Sequence, residues 1–157
     1  MRHALLIPFP ELLPIVEQWL ERTDATGPSQ GIPPHVTVLF PAPPDIGEAL
    51  DGFEAFDVVF RETRRFAEAV YLAPAPAEPF IEMTRAVWGR FPEWPPYKGE
   101  FLPDITPHLT VAQGALHDEA EADVLPRLPV RARAREALLL GEVEAQRWEQ
   151  QASYRLR

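Results

Sequence analysis

Residues 32–38 read Ile-Pro-Pro-His-Val-Thr-Val, and residues 105–111 read Ile-Thr-Pro-His-Leu-Thr-Val. Both stretches follow one pattern, Ile-x-Pro-His-aliphatic-Thr-Val, so the chain carries an internal repeat. The aliphatic and β-branched residues after each histidine favour a strand, and the prolines before it mark a boundary. The repeat therefore predicts two equivalent strands, one in each half of the chain.

Side chains along a strand point alternately to its two faces, which decides where the motif residues lie. His35 and Thr37 would share one face of the first strand. His108 and Thr110 would share the matching face of the second. If the two halves pack around a pseudo-twofold axis, both His-Thr pairs face one cleft and surround one ligand.

Cleavage of a phosphodiester is a reaction that two histidines and two threonines can support. The reaction needs a base to activate the attacking oxygen and an acid to protonate the leaving one, and histidine serves either role near neutral pH. Threonine hydroxyls donate hydrogen bonds to the non-bridging phosphate oxygens, where charge is stabilised.

The rest of the chain mixes strand and helix patterns. Strand patterns occupy residues 4–7, 35–40, 56–60, 69–73, 130–136, 138–143 and 148–156. Helix patterns occupy residues 12–22, 79–91 and 118–125. Asp45 with Glu48 predicts a further capped helix, Arg64 and Arg65 mark a break between strands, and residues 26–34 read as a loop. This order predicts an α+β fold.

Composition limits the kind of protein and of ligand. The chain has 157 residues, 46% hydrophobic and 25% charged, which is typical of a folded domain. A net charge of -9 disfavours long duplex nucleic acid held by charge, but leaves room for a short phosphorylated ligand. The absence of cysteine excludes disulfides, zinc-thiolate sites and a thiol nucleophile. No apolar run is long enough for a signal peptide or membrane span, so we expect a soluble, cytoplasmic protein.

The two His-x-Thr-x motifs resemble those of the 2H phosphoesterase superfamily, of the 2'-5' RNA ligase and RNA 2',3'-cyclic phosphodiesterase kind. The first motif, Pro-His-Val-Thr-Val-Leu-Phe-Pro, looks especially similar, and the resemblance extends over nearly the whole chain. It implies one α+β domain over residues 1–157, with two pseudo-symmetric lobes of antiparallel sheet, helices outside and a central cleft that carries both motifs.

The resemblance also implies roles for the motif residues. His35 and His108 would be the catalytic acid and base, with the order left open, and Thr37 and Thr110 would bind phosphate. Neither a metal nor another cofactor is expected. Many bacterial relatives carry an arginine soon after the second motif, whereas this chain carries Gln113, a departure that bears on phosphate affinity.

The expected activity is hydrolysis of a 2',3'-cyclic phosphate, or of a related 2'-5' phosphodiester, on a nucleotide or an RNA end. We expect a monomer that takes a small nucleotide or RNA end as its substrate. Aromatic side chains stack on bases, which makes Tyr71, Tyr97, Trp94 and Phe40 candidates for binding the base. Tyr71 and Tyr97 are preferred, because a tyrosine also presents a hydroxyl.

Several other interpretations remain open. A non-catalytic module that binds a nucleotide or RNA end would use the same cleft, and a structural protein could have inherited the fold. A metal site is disfavoured because the chain lacks a His-Glu-x-x-His pattern and two histidines leave zinc short of ligands. The arginines Arg61, Arg64 and Arg65 are expected to be solvated or paired with carboxylates.

Overall fold

The computed structural model describes residues 1–23 and 27–157. The strands are β1 (His3–Pro8), β2 (His35–Leu39), β3 (Phe56–Phe66), β4 (Ala69–Ala75), β5 (Leu109–Gln113), β6 (Val130–Ala134), β7 (Glu136–Glu144) and β8 (Arg147–Arg155). The α-helices are α1 (Leu13–Arg22), α2 (Glu78–Arg90) and α3 (His117–Val124). The loop predicted at residues 26–34 includes Thr26, which lies outside the described residues.

The strands form two four-stranded antiparallel sheets, ordered β2-β1-β7-β8 and β5-β4-β3-β6. The two orders are equivalent, because the chain runs β1-α1-β2 into one sheet edge and β4-α2-β5 into the other. Both motif strands are therefore edge strands, and β2 lies against β5. The predicted α+β fold with two pseudo-symmetric lobes of antiparallel sheet is confirmed.

One hydrophobic core joins the two sheets. Leu5 and Ile7 of β1 point into it, together with side chains of β3, β4 and β5. Phe9, which follows β1 and is fully buried, packs edge-to-face on Phe60 of β3 and on Phe80 of α2, with centroid distances of 5.2 and 6.1 Å. Such aromatic pairs add about 0.5–1.5 kcal/mol each beyond the apolar area they bury, so Phe9 holds the lobes together.

Helices α1 and α2 each pack against a strand of the opposite lobe. Helix α1, which leads into β2, packs against β5, and helix α2, which leads into β5, packs against β2. Thr84 of α2 is 3% exposed, and its hydroxyl donates a 2.6 Å hydrogen bond to the carbonyl of Val38 in β2. Thr84 thus fixes a helix of one lobe to the motif strand of the other.

Two local predictions are wrong. Residues 45–53 form consecutive turns instead of a helix, since Asp45 Oδ1 accepts a hydrogen bond from the Gly47 amide and Gly47 is left-handed at φ 57°. The break expected at Arg64 and Arg65 is also absent, because β3 continues through both to Phe66 and turns at Ala67 with φ 51°. The remaining strand and helix patterns match the structure to within a few residues.

The helices of residues 1–23 and 27–157 include none with the length and hydrophobicity to cross a bilayer.

Replacing Thr84 by valine removes the donor to the Val38 carbonyl while preserving shape. A buried carbonyl that loses its partner costs about 1–3 kcal/mol, so we expect Thr84→Val to lower the free energy of unfolding by that amount in urea denaturation. Thr84→Ser keeps the hydroxyl and serves as the control. Native stability in the valine variant would contradict the assigned hydrogen bond.

Candidate active site

Strand β2 presents its motif residues as the alternation predicts. Val36 and Val38 are buried at 0% and 2% exposure, whereas His35 and Thr37 are half-buried on the opposite face. The chain enters β2 through Gly31, whose φ is +88° and where an added Cβ would lie 2.1 Å from the Trp148 carbonyl oxygen. Only glycine fits this approach, so the loop before His35 has a fixed course.

Strand β5 repeats the arrangement. It begins one residue after His108, with Leu109 and Val111 fully buried and Thr110 half-buried between them. Thr110 is paired with Tyr71 of the neighbouring strand β4. The two His-Thr pairs therefore lie on the faces of β2 and β5 that turn away from the core.

Both histidine rings are held in the same way. His35 Nδ1 lies 2.8 Å from the Pro33 carbonyl, and His108 Nδ1 lies 2.8 Å from the Thr106 carbonyl. Because a carbonyl only accepts hydrogen bonds, Nδ1 carries the hydrogen in each case, and Nε2 of the neutral ring is left free to accept a proton.

Most of the predicted site residues border one cavity of about 380 Å³. Its border includes Thr37 of β2 and, from the other lobe, Tyr71, Tyr97, His108 and Thr110. His35 does not border this cavity, although it shares a strand face with Thr37, which does.

The surroundings of His35 favour its neutral form. Burial lowers the pKa of His35 to about 4, the hydrogen bond to the Pro33 carbonyl opposes this shift, and the nearby His108 adds to it. At neutral pH the His35 ring is therefore uncharged, with Nε2 unprotonated.

Tyr71 and Tyr97 occupy different parts of the site. The Tyr71 ring is 8% exposed and packs edge-to-face on the His108 ring at 5.6 Å. Burial raises the pKa of Tyr97, and the nearby Thr37 side chain opposes the rise. Tyr97, Lys98 and Gly99 are all left-handed, at φ 49°, 56° and 83°. The left-handed conformation costs about 1–2 kcal/mol for each of Tyr97 and Lys98. The 2.7 Å hydrogen bond from the Tyr97 amide to the Phe40 carbonyl helps to offset this cost.

Several residues at the cavity were not predicted from the sequence. Phe66 at the β3–β4 hairpin and Phe101 and Asp104 in the loop before β5 border it. Their positions depend on irregular turns, which leave no periodic pattern. The closeness of Phe101 and Asp104 to His108 in the sequence was the available signal.

The other aromatic candidates lie elsewhere. Trp94 packs against the core, and Phe40 packs on Trp148 and Tyr97 at 6.2 and 6.5 Å without bordering the cavity. Arg64 pairs with Glu62, and Arg65 pairs with two acidic residues of α3, as expected for surface arginines. Within residues 1–23 and 27–157, no three histidine or acidic side chains group as metal ligands.

Comparison with known families gives a match over most of the chain. Residues 8–150 match the model of the 2'-5' RNA ligase superfamily. No curated protein sequence is significantly similar to the chain.

Solved structures share the fold at low sequence identity. The protein TT0787 of Thermus thermophilus is 18% identical with a TM-score of 0.64, over 100% of this chain and 98% of that one. E. coli LigT complexed with NADP+ is 18% identical with a TM-score of 0.61, over 99% and 96% of the two chains. E. coli LigT complexed with 3'-AMP is 14% identical with a TM-score of 0.61, over 99% and 97%. These similarities show a common fold.

The lowered pKa of His35 predicts a pH-dependent stability. As pH falls from about 6.5 to about 4, His35 becomes protonated in the unfolded chain but stays neutral in the folded protein. The contribution of His35 to the free energy of unfolding is therefore fully present above this window and is lost within it. The loss attributable to His35 reaches at most about 3 kcal/mol.

Chemical denaturation of the native protein and of His35→Gln across this window measures the effect. The stability of the variant should fall less steeply with pH, whereas His117→Gln, which changes a histidine outside the cavity, should follow the native curve. Parallel curves for native protein and His35→Gln would contradict the pKa assignment.

Proposed function

The chain belongs to the 2'-5' RNA ligase superfamily, and we propose that it hydrolyses a 2',3'-cyclic phosphate, or a related 2'-5' phosphodiester, of a nucleotide or RNA end. His35 and His108 act as the acid and base, and Thr37 and Thr110 bind the phosphate. The observation that carries the proposal is the matched pair of histidines, each held through Nδ1 at 2.8 Å and each followed by a threonine on the same face.

The orientation of the rings supports acid-base chemistry. Each imidazole bonds to a carbonyl through Nδ1, so Nε2 is the atom available to exchange a proton with a ligand. A backbone carbonyl is part of the fold and does not titrate near neutral pH, so the ring orientation is retained when the ring gains or loses a proton. Preorganised catalytic groups need no rearrangement during the reaction.

The reaction proceeds with water as the attacking group. One histidine removes a proton from the water, whose oxygen forms a new bond to phosphorus, and the bond from phosphorus to one ribose oxygen breaks. The other histidine donates its proton to that departing oxygen. The product is a phosphate monoester, and the two histidines have exchanged protonation states.

The lowered pKa of His35 supports this residue as the base, which leaves the role of the acid to His108. His35, with its pKa lowered to about 4, enters the reaction unprotonated at neutral pH. A bound phosphate anion stabilises the protonated imidazole and brings the pKa of His35 closer to neutrality, where a base is most effective.

The threonines and Gln113 account for phosphate binding. Thr37 and Thr110 border the cavity from opposite lobes, so their hydroxyls can bond to different non-bridging oxygens of one phosphate. Gln113 also borders the cavity and offers an amide donor without a charge. We expect a lower phosphate affinity than an arginine at this position would provide, because charge-assisted hydrogen bonds are roughly twice as strong as neutral ones.

The ligands of similar proteins support a small nucleotide as the substrate. E. coli LigT has been crystallised with 3'-AMP and with NADP+. The cavity of about 380 Å³ is within the size range of small-molecule sites.

The experiment that tests the proposal is hydrolysis of 2',3'-cyclic nucleotides and cyclic-phosphate-ended oligonucleotides in EDTA. We expect EDTA-resistant turnover by the native protein. His35→Ala and His108→Ala should each lower kcat/KM by about a hundredfold to ten-thousandfold, because each removes a general acid or base.

His117→Ala is the matched control, since His117 does not border the cavity and its Nδ1 bonds to the Gly114 carbonyl. Its activity should equal that of the native protein. A native protein that binds nucleotides but hydrolyses none of the substrates would be a non-catalytic binding module instead of an enzyme. Full activity in His35→Ala or His108→Ala would refute the acid-base pair.

A further inference from the structure

Two exposed phenylalanines meet at the mouth of the cavity. Phe66 is 56% exposed and Phe101 is 41% exposed, and both border the cavity. Their rings pack edge-to-face with centroids 5.3 Å apart. Exposed apolar area of this kind is unfavourable in water by about 25 cal/mol per Å² and often marks a binding surface.

Phe66 is held at the cavity by its hairpin. It is the last residue of β3, and the turn that follows contains the left-handed Ala67. The Glu68 carbonyl accepts a 2.8 Å hydrogen bond from the Gly114 amide, and Ala69 pairs with Gln113 at the end of β5. The tip that carries Phe66 is thus attached to the motif strand of its own lobe.

Phe101 is held from the other side. Its ring packs edge-to-face on Tyr97 at 5.7 Å, and the Tyr97 amide bonds to the Phe40 carbonyl just beyond β2. The Phe101 carbonyl accepts a 3.0 Å bond from the Asp104 amide, which closes the turn. Phe66, Phe101 and Tyr97 therefore form a row of aromatic rings along the border of the cavity.

We propose that Phe66 and Phe101 form a platform on which the nucleobase of the ligand stacks, with the phosphate deeper in the cavity near Thr37 and His108. This inference rests on the proposed function for the position of the phosphate. Base-aromatic stacking needs a π-face and no base-specific hydrogen bond, so the platform accepts purines and pyrimidines alike. The protein would then prefer substrates whose bases stack more strongly on the two phenylalanine rings.

The test is an equilibrium binding measurement that does not depend on turnover. Adenosine 3'-monophosphate and methyl riboside 3'-phosphate carry the same phosphate, and only the first has a base. Both carry one phosphate group, which limits repulsion from the Asp104 carboxylate at the cavity. Calorimetric titration at fixed salt measures both affinities in the native protein and in the variants.

We expect the native protein to bind the adenosine compound roughly tenfold more tightly than the base-free compound, in line with the strength of one stacked base. Phe66→Leu and Phe101→Leu should each lose most of this difference and keep their affinity for the base-free compound. Phe101→Tyr retains a ring and should retain the difference. Leu125→Ala, which removes an exposed apolar side chain outside the cavity, should bind like the native protein.

Equal native affinities for the two compounds would overturn the inference. So would leucine variants that keep the base-dependent difference, or that lose both ligands equally, since the rings would then only support the cavity. A changed sedimentation coefficient with unchanged affinities would assign the pair to contact between copies of the chain.

The outcomes separate this inference from the proposed function. Base-dependent binding without any hydrolysis would refute the enzyme and leave the platform in place. Hydrolysis of cyclic phosphates with no preference for a base would leave the enzyme in place and refute the platform.

Discussion

The hydrogen bond from each histidine Nδ1 to the carbonyl two residues earlier is the constraint on which the site depends. It is 2.8 Å long for both His35 and His108, and it links each ring to the backbone just before a strand. A proline stands immediately before each histidine and fixes φ at that point, so the carbonyl and the ring are positioned by the same short segment. The free Nε2 atoms follow from this local geometry, with no third side chain needed to orient either ring.

The fold brings the two motif strands, which carry this local geometry, side by side. Both motif strands lie at the edges of their sheets, and β2 lies against β5, so faces that carry one His-Thr pair each are brought together. The opposite faces of the same strands, with Val36 and Val111 fully buried, belong to the common core. Because α1 and α2 each pack on the motif strand of the other lobe, the cavity lies between lobes that are held by packing on both sides.

The sequence predicted the parts of the site that depend on strand alternation and repetition. The shared face of His35 and Thr37, and the second copy of that arrangement, follow from side-chain periodicity alone. The turns at residues 45–53 were mistaken for a helix because an Asp-x-x-Glu pattern does not reveal that Gly47 will be left-handed. Phe66 and Phe101 were missed for a related reason, since a hairpin tip and an irregular loop place them by hydrogen bonds between distant residues.

The proposed site holds one ligand between the imidazoles of His35 and His108, and nitrogen NMR of the histidine side chains tests this arrangement most directly. Titration with adenosine 3'-monophosphate would follow the Nδ1 and Nε2 shifts of His35 and His108. We predict that both rings carry hydrogen on Nδ1 in the free protein and that both Nε2 signals move with one dissociation constant. A response from only one ring, two different constants, or hydrogen on Nε2 of either neutral ring would contradict it.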